Sequence, residues 1–190
     1  MRRSNKMKWF VDDWPKGLSV NSEHNLLVVT SSKLQIFKTD GTLLQNIQLQ
    51  ADIADPHHAV QLPTGKFLVS QGDVHAFLHR VCLVGVDGAM VRSYGATLGS
   101  ELPHMNRPAG LAVDREGRVL VADQFNNRLL VIDESLSSAH KMSVVGVDVK
   151  RPYTVWYDQS RRRLYIGDDD VGVGRMIVCA NMKDFSPSTS

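Results

Sequence analysis

The chain has 190 residues, 43% of them hydrophobic, which is enough apolar material for one globular domain with its own core. A net charge of +2 neither demands nor excludes a nucleic-acid partner, so only the distribution of charge can speak to one. The basic start has no apolar stretch of secretory-signal length behind it, and no run is long enough to span a bilayer, so neither a leader nor a membrane partner is expected.

Met7 to Val11 reads as a short strand ahead of four proline-led segments, Pro15 to Val20, Pro56 to Gln61, Pro108 to Val113 and Pro152 to Tyr157. Each segment is followed by an apolar run, beginning at Leu26, Phe67, Val119 and Leu164. The prolines stand 41, 52 and 44 residues apart, the period of propeller blades. In the first copy the apolar run leads to a third strand, Lys33 to Phe37, an Asp40-Gly41 turn and a fourth strand, Leu43 to Leu49. The second copy repeats this with Arg80 to Val84, Asp87-Gly88 and Met90 to Tyr94. The third is the clearest: Ala109 to Val113, a polar turn in which Gly117 takes positive φ, Val119 to Ala122, a loop at 123–127, Arg128 to Ile132, and His140 to Val145. The fourth supplies Arg175 to Cys179 and then no outer strand.

The second strand of every copy is apolar at consecutive positions, so both of its faces must be buried, as stacking between neighbouring blades provides. The expected fold is an all-β propeller with four recognisable four-stranded blades, at about 12–49, 53–95, 105–146 and 149–182, forming a partial propeller or a small closed ring, with a disordered tail at 186–190. Because the chain opens on an orphan outer strand and its last blade lacks one, residues 7–11 are expected to complete that blade and close the ring. If the arc is incomplete instead, its bare blade faces favour self-association. Cys82 and Cys179 both fall within strands and are expected to be unpaired core thiols, which suits a reducing, cytoplasmic setting.

The stretch from Arg107 to Asp133, with its Pro108-Ala109-Gly110-Leu111-Ala112-Val113 start, Val121-Ala122-Asp123 and Asn127-Arg128, resembles an NHL repeat. The other copies share only the apolar spacing, the prolines and the Asp-Gly turns. The resemblance points to the NHL propellers at the C-terminus of tripartite-motif proteins, which bind protein or RNA while a separate RING domain carries ubiquitin ligase activity. This chain departs from that pattern: two cysteines cannot build a RING or B-box, and four repeats stand where that family usually has six.

Propeller topology assigns Trp14, Lys16, His57, His58, Asn106, Arg107, Arg151 and Tyr153 to one face, joined by the loops at 71–79, 124–128 and 168–170. The candidate binding face is therefore Trp14, Lys16, His57, His58, Arg107, Phe125, Asn126, Arg151 and Tyr153, a mixture suited to a protein partner or to single-stranded RNA. The Asp168-Asp169-Asp170 run weakens the RNA reading by repelling phosphate. Asp123, Asn127 and Arg128 read as structural, an acid and a guanidinium closing a loop across a left-handed Asn. The Arg161-Arg162-Arg163 cluster falls on the opposite face and reads as a solvated turn.

Adjacent His57 and His58 point oppositely along an extended strand, so at most one faces the channel. No repeated acid pair, Gly-x-Ser-x-Gly, His-Glu-x-x-His or phosphate loop is present. The reading is a non-catalytic recognition module with no cofactor or metal, whose partner is a protein in a ubiquitin-ligase-related or scaffolding setting. The alternatives are single-stranded RNA binding and a metal-dependent propeller hydrolase or lyase.

Overall fold

The computed structural model describes residues 8–72, 78–97, 99–144, 146, 148–170, 172–182 and 185; Met7, His75, Val145 and the expected tail lie outside them. Antiparallel hairpins build four sheets. The first blade is β1 (Gly17–Val20), β2 (Leu26–Val29), β3 (Lys33–Phe37) and β4 (Leu43–Gln48) in that order. The second is β5 (Pro56–Gln61), β6 (Phe67–Gln71), β7 (Leu78–Val84) and β8 (Met90–Thr97), and the third β9 (Pro108–Val113), β10 (Val119–Asp123), β11 (Arg128–Ile132) and β12 (Ala139–Met142). The fourth has three described strands rather than four: β13 (Thr154–Asp158), β14 (Arg163–Asp170) and β15 (Val173–Cys179).

Three apolar slabs glue the four blades together. Leu27, Val29, Leu34 and Ile36 of the first blade meet Phe67, Val69 and Cys82 of the second. Leu68 and Val81 of the second meet Leu111, Val121 and Leu130 of the third, and Leu120 and Leu129 of the third meet Val155, Leu164 and Ile166 of the fourth. The innermost strands follow one another as β1, β5, β9 and β13, and β13 has no comparable packing on β1. The four-bladed propeller is therefore an open arc.

Two glycines allow the inner strands to approach near the axis. A Cβ on Gly17 would stand 2.3 Å from the His57 carbonyl oxygen, and one on Gly110 would stand 2.8 Å from Thr154 Cα. Both faces of β6 and β10 are buried, as their unbroken apolar runs require. In β14 the rule fails at Tyr165, which is only half-buried because no further blade covers that side.

The orphan N-terminal segment does not complete the fourth blade. Residues 8–11 form no strand and lie on the first blade, where the Trp9 ring stands 6.5 Å from that of Phe37. Asp12 accepts from Gln35 Nε2 at 2.8 Å and pairs with Lys33 at 3.1 Å. Cys82 and Cys179 are both free. Burial pushes the Cys82 thiol up to about 12, so alkylation at neutral pH is expected to spare Cys82 until denaturant unfolds the chain, as peptide mass mapping will show.

The basic turn between β13 and β14 is partly neutralised. Arg161 pairs with Asp158 at 3.0 Å, and Arg162 Nε donates to the Met182 carbonyl at 3.2 Å. The Ser160 hydroxyl and the Arg161 N–H hold the Asp158 carboxyl down at about 2. Asp133 is also held low, against its burial, by Ser135, Ser137 and Ser138. Both carboxyls are depressed in the folded state, so their stabilisation is complete above roughly pH 4 and is lost as the pH falls toward the folded values. Thermal melts down that range should show a flatter acid limb for the Asp133→Asn, Asp158→Asn double variant.

Candidate binding face at the channel mouth

Three of the four inner strands are entered through a left-handed residue. Asp55, Arg107 and Arg151, each directly before a repeat proline, have φ of 52°, 58° and 43°. A proline disfavours the right-handed helical region for the residue before it, and a positive φ costs a side-chain-bearing residue on the order of 1–3 kcal/mol. In the third and fourth blades a buried carboxylate holds the segment. Asp123 Oδ1 accepts from the Asn106 N–H at 2.7 Å, and Asp168 Oδ2 accepts from the Lys150 N–H at 2.9 Å.

Each of these acids also takes a guanidinium from the start of the third strand. Asp123 Oδ2 lies 2.6 Å from Arg128 Nε, and Asp168 Oδ2 lies 2.6 Å from Arg175 Nη2. Burial pushes the Asp123 carboxyl up, against the Asn106, Asn126 and Arg128 donors that favour its charge. At Asp168 burial acts the same way, but Arg175 and the Lys150 N–H overcome it and hold the carboxyl low. In the second blade Gln71 stands where the acid would be, and Arg80 pairs instead with Asp52 at 3.0 Å. In the first blade the corresponding pair is Lys33 and Asp12. One cation at the head of each third strand is thus matched by a carboxylate drawn from a different place in each half of the arc.

Of the left-handed residues, Arg107 borders a cavity of about 380 Å³ that is lined also by Lys16, His57, His58, Gln124 and Tyr153 among others. Below it opens a larger groove of about 730 Å³ along the inner strands, past Leu18, Val60, Leu111 and Trp156. At the rim, Phe125 sits on a 3₁₀ turn, Gln124–Asn126, that closes on left-handed Asn127. The Arg107 guanidinium lies 5.4 Å from the centre of its ring and that of Arg151 5.7 Å, so two cations flank one aromatic.

Most of the other charge here is already matched. Lys16 pairs with Asp55, and Arg151 pairs with Asp169 at 3.3 Å. Arg175 takes both Asp168 and Asp170, so the acidic run is not a bare repulsive patch. Arg107 makes no ion pair among the described residues.

Both His57 and His58 border the cavity, contrary to the expected alternation, because the ladder shifts register between Pro56 and His58. His57 Nε2 donates to the Gly72 carbonyl at 2.8 Å, and His58 Nδ1 accepts from the Leu111 N–H at 3.2 Å. Burial lowers both histidines, so the positive charge of the mouth comes from the arginines and Lys16. His79, expected in a loop, lies buried in β7, where its Nδ1 accepts from the Arg107 N–H at 2.9 Å. Trp14 is 77% exposed and outside the cavity lining, while Asn126 turns inward, donating to the Gly99 carbonyl and to Asp123. Asp55 and Asp169 had no sequence signal beyond a place near a proline or within an acidic run.

Residues 105–132 match the NHL repeat family model. The protein brain tumor of Drosophila melanogaster is 24% identical over 134 residues, a region that is 67% of this chain and 12% of that protein. The chain therefore spans about an eighth of its curated relative. A chain of a nidogen–laminin complex superposes with a TM-score of 0.63 at 16% identity, covering 91% of this chain and 64% of that one. Virginiamycin B lyase from Staphylococcus aureus superposes with a TM-score of 0.55 at 16% identity, covering 86% and 54%. At such identities these likenesses speak to the fold alone. The stretch that matches an NHL repeat, residues 105–132, makes the first three strands of the third blade of a four-bladed propeller arc, and the arc resembles the NHL propellers of tripartite-motif proteins.

Proposed function

We propose that the chain is a non-catalytic recognition module that binds a protein partner at the channel mouth, in a role related to substrate or scaffold binding by tripartite-motif ubiquitin ligases. The observation that carries this reading is the Phe125 ring with the guanidinium groups of both Arg107 and Arg151 close to it, next to the cavity that Arg107 and Gln124 line. Aromatic and arginine side chains are the usual anchors of protein interfaces. The pairing of Lys16 and Arg151 with Asp55 and Asp169 leaves one surplus cation, Arg107, which suits a carboxylate on a partner better than a run of phosphates. The same rim favours single-stranded RNA as a second reading, because a ring flanked by guanidinium planes offers a base a stacking platform.

The test is a photo-crosslinking residue at position 125, expressed in cells and analysed by mass spectrometry, beside retention of a random single-stranded RNA pool over a range of salt. A crosslinked protein lost in an Arg107→Gly variant is the expected result. Glycine is the appropriate replacement because it keeps the left-handed backbone without strain, so thermal stability should stay within about 1 kcal/mol while binding falls about tenfold. RNA retention that falls steeply with salt, with no protein crosslink, would overturn the protein reading in favour of RNA.

A further inference from the structure

The two ends of the arc are complementary. In the three packed pairs of blades, the third residue after the repeat proline is covered by the preceding blade: Ala59 is 0%, Leu111 2% and Val155 4% exposed. The equivalent Leu18, with Val20 beside it, is 61% exposed because no blade among the described residues packs on that side of β1. At the far end, Trp156, Met176 and Val178 stand exposed on the outward face of the fourth blade, with Tyr165 stacked 5.1 Å from Trp156. The outer edge of β15 has no strand beside it among the described residues.

Residues 8–11 already lie where the outer strand of a preceding blade would run. Between the first and second blades, the end of β4 passes over Gly88 in the β7–β8 turn, and between the second and third, Arg92 of β8 reaches the Ser135 carbonyl at 2.5 Å. Trp9 makes the matching contact on the first blade, over Gly41 of the β3–β4 turn. Exposure alternates along residues 8–11, as in a strand: Trp9 faces its own blade and Phe10 is 83% exposed. A slot of about 320 Å³ beside β15, lined by Met142, Val144, Ile177, Cys179 and Met182 among others, stands open on the fourth blade. Met90 of β8 packs at the corresponding place between the first two blades.

We propose that the chain assembles head to tail with a second copy of itself. Residues 8–11 of one copy add to β15 of the other as an outer strand and place Phe10 in the slot. Trp156, Met176 and Val178 then pack against Leu18 and Val20. Within the chain, the turns at the foot of neighbouring blades touch, Arg115 Nη2 donating to the Gln159 carbonyl at 3.1 Å and Asn21 Nδ2 to Gln61 at 2.8 Å. The same stacking between copies sets the Arg161-Arg162-Arg163 turn beside the turn that carries Glu23, opposite in charge. Within one chain β13 and β1 lack the packing that neighbouring inner strands make, although Leu18 and Trp156 border one groove, so the match is made between chains.

Sedimentation of the full chain over a concentration series is expected to show reversible assembly, weakened about tenfold by Phe10→Asp and by Val178→Asp. Each variant keeps one intact end, so mixing the two should restore a heterodimer that neither forms alone, a result that requires a head-to-tail interface. Phe10→Cys should form a disulfide with Cys179 under mild oxidation, giving a covalent dimer or longer species on a non-reducing gel that disappears with Cys179→Ser. A monomer throughout the series, assembly indifferent to both Asp variants, a disulfide-closed monomer, or the absence of the disulfide would each overturn the proposal, the closed monomer in favour of self-closure.

Discussion

Replacing Asp123 with alanine will destabilise the chain by about 3–5 kcal/mol, because it breaks a buried ion pair from one side only. Asp123 is fully buried, and its carboxylate accepts from the Asn106 N–H, Asn126 Nδ2 and Arg128 Nε at 2.7, 2.9 and 2.6 Å. Without it the Arg128 guanidinium, 12% exposed, keeps only carbonyl partners such as that of His104 at 2.9 Å. For a domain of this size the loss corresponds to a fall in melting temperature of roughly 10 °C. Asp168→Ala provides the comparison within the same molecule. Its partner Arg175 is 35% exposed and has a second carboxylate in Asp170, so water and Asp170 compensate and the fall should be clearly smaller. Thermal melts in which Asp168→Ala equals or exceeds Asp123→Ala would refute burial as the deciding factor.

Gly110→Val will be almost as damaging, by about 2–4 kcal/mol, for a reason of shape rather than charge. A side chain at 110 must enter the space held by Thr154 Cα and the Val155 nitrogen, both 2.8 Å from its Cβ, and backbone cannot turn aside as a flexible side chain can. The Gly110 N–H to Tyr153 carbonyl bond at 3.0 Å lies in the same contact and would be stretched. Because Tyr153 lines the mouth cavity, the third and fourth blades separate where the partner is proposed to bind. Gly174→Val serves as the control, since no atom lies within 4 Å of its Cβ position and its backbone is not left-handed. Chemical denaturation should rank Gly110→Val well below Gly174→Val in stability.

How much of this was legible beforehand differs from element to element. The unbroken apolar runs at Phe67 and Val119 announced strands buried on both faces, and β6 and β10 are so buried. Leu164 to Ile166 carried the same signal but borders open space at Tyr165, because the neighbour that would cover it is not in the arc. The Asp123–Arg128 contact could be anticipated from a spacing of five residues across a tight loop, which brings the two ends of a hairpin together. The Arg80–Asp52 pair could not, since its members are 28 residues apart and meet only through the fold. The bulge that turns both His57 and His58 toward the mouth likewise left no mark in an otherwise regular apolar pattern.

The repeated proline and the apolar run behind it determined, without any coordinates, that this chain makes β blades that must stack, because local patterning decides which faces have to leave water. What only the tertiary structure decided is where the stacking stops: three apolar slabs for four blades, a β15 edge with no strand beside it among the described residues, and an N-terminal segment resting on the first blade instead of the last. Closure depends on how many blades share one axis and at what angle. That is a sum over all the interfaces, which no single repeat encodes.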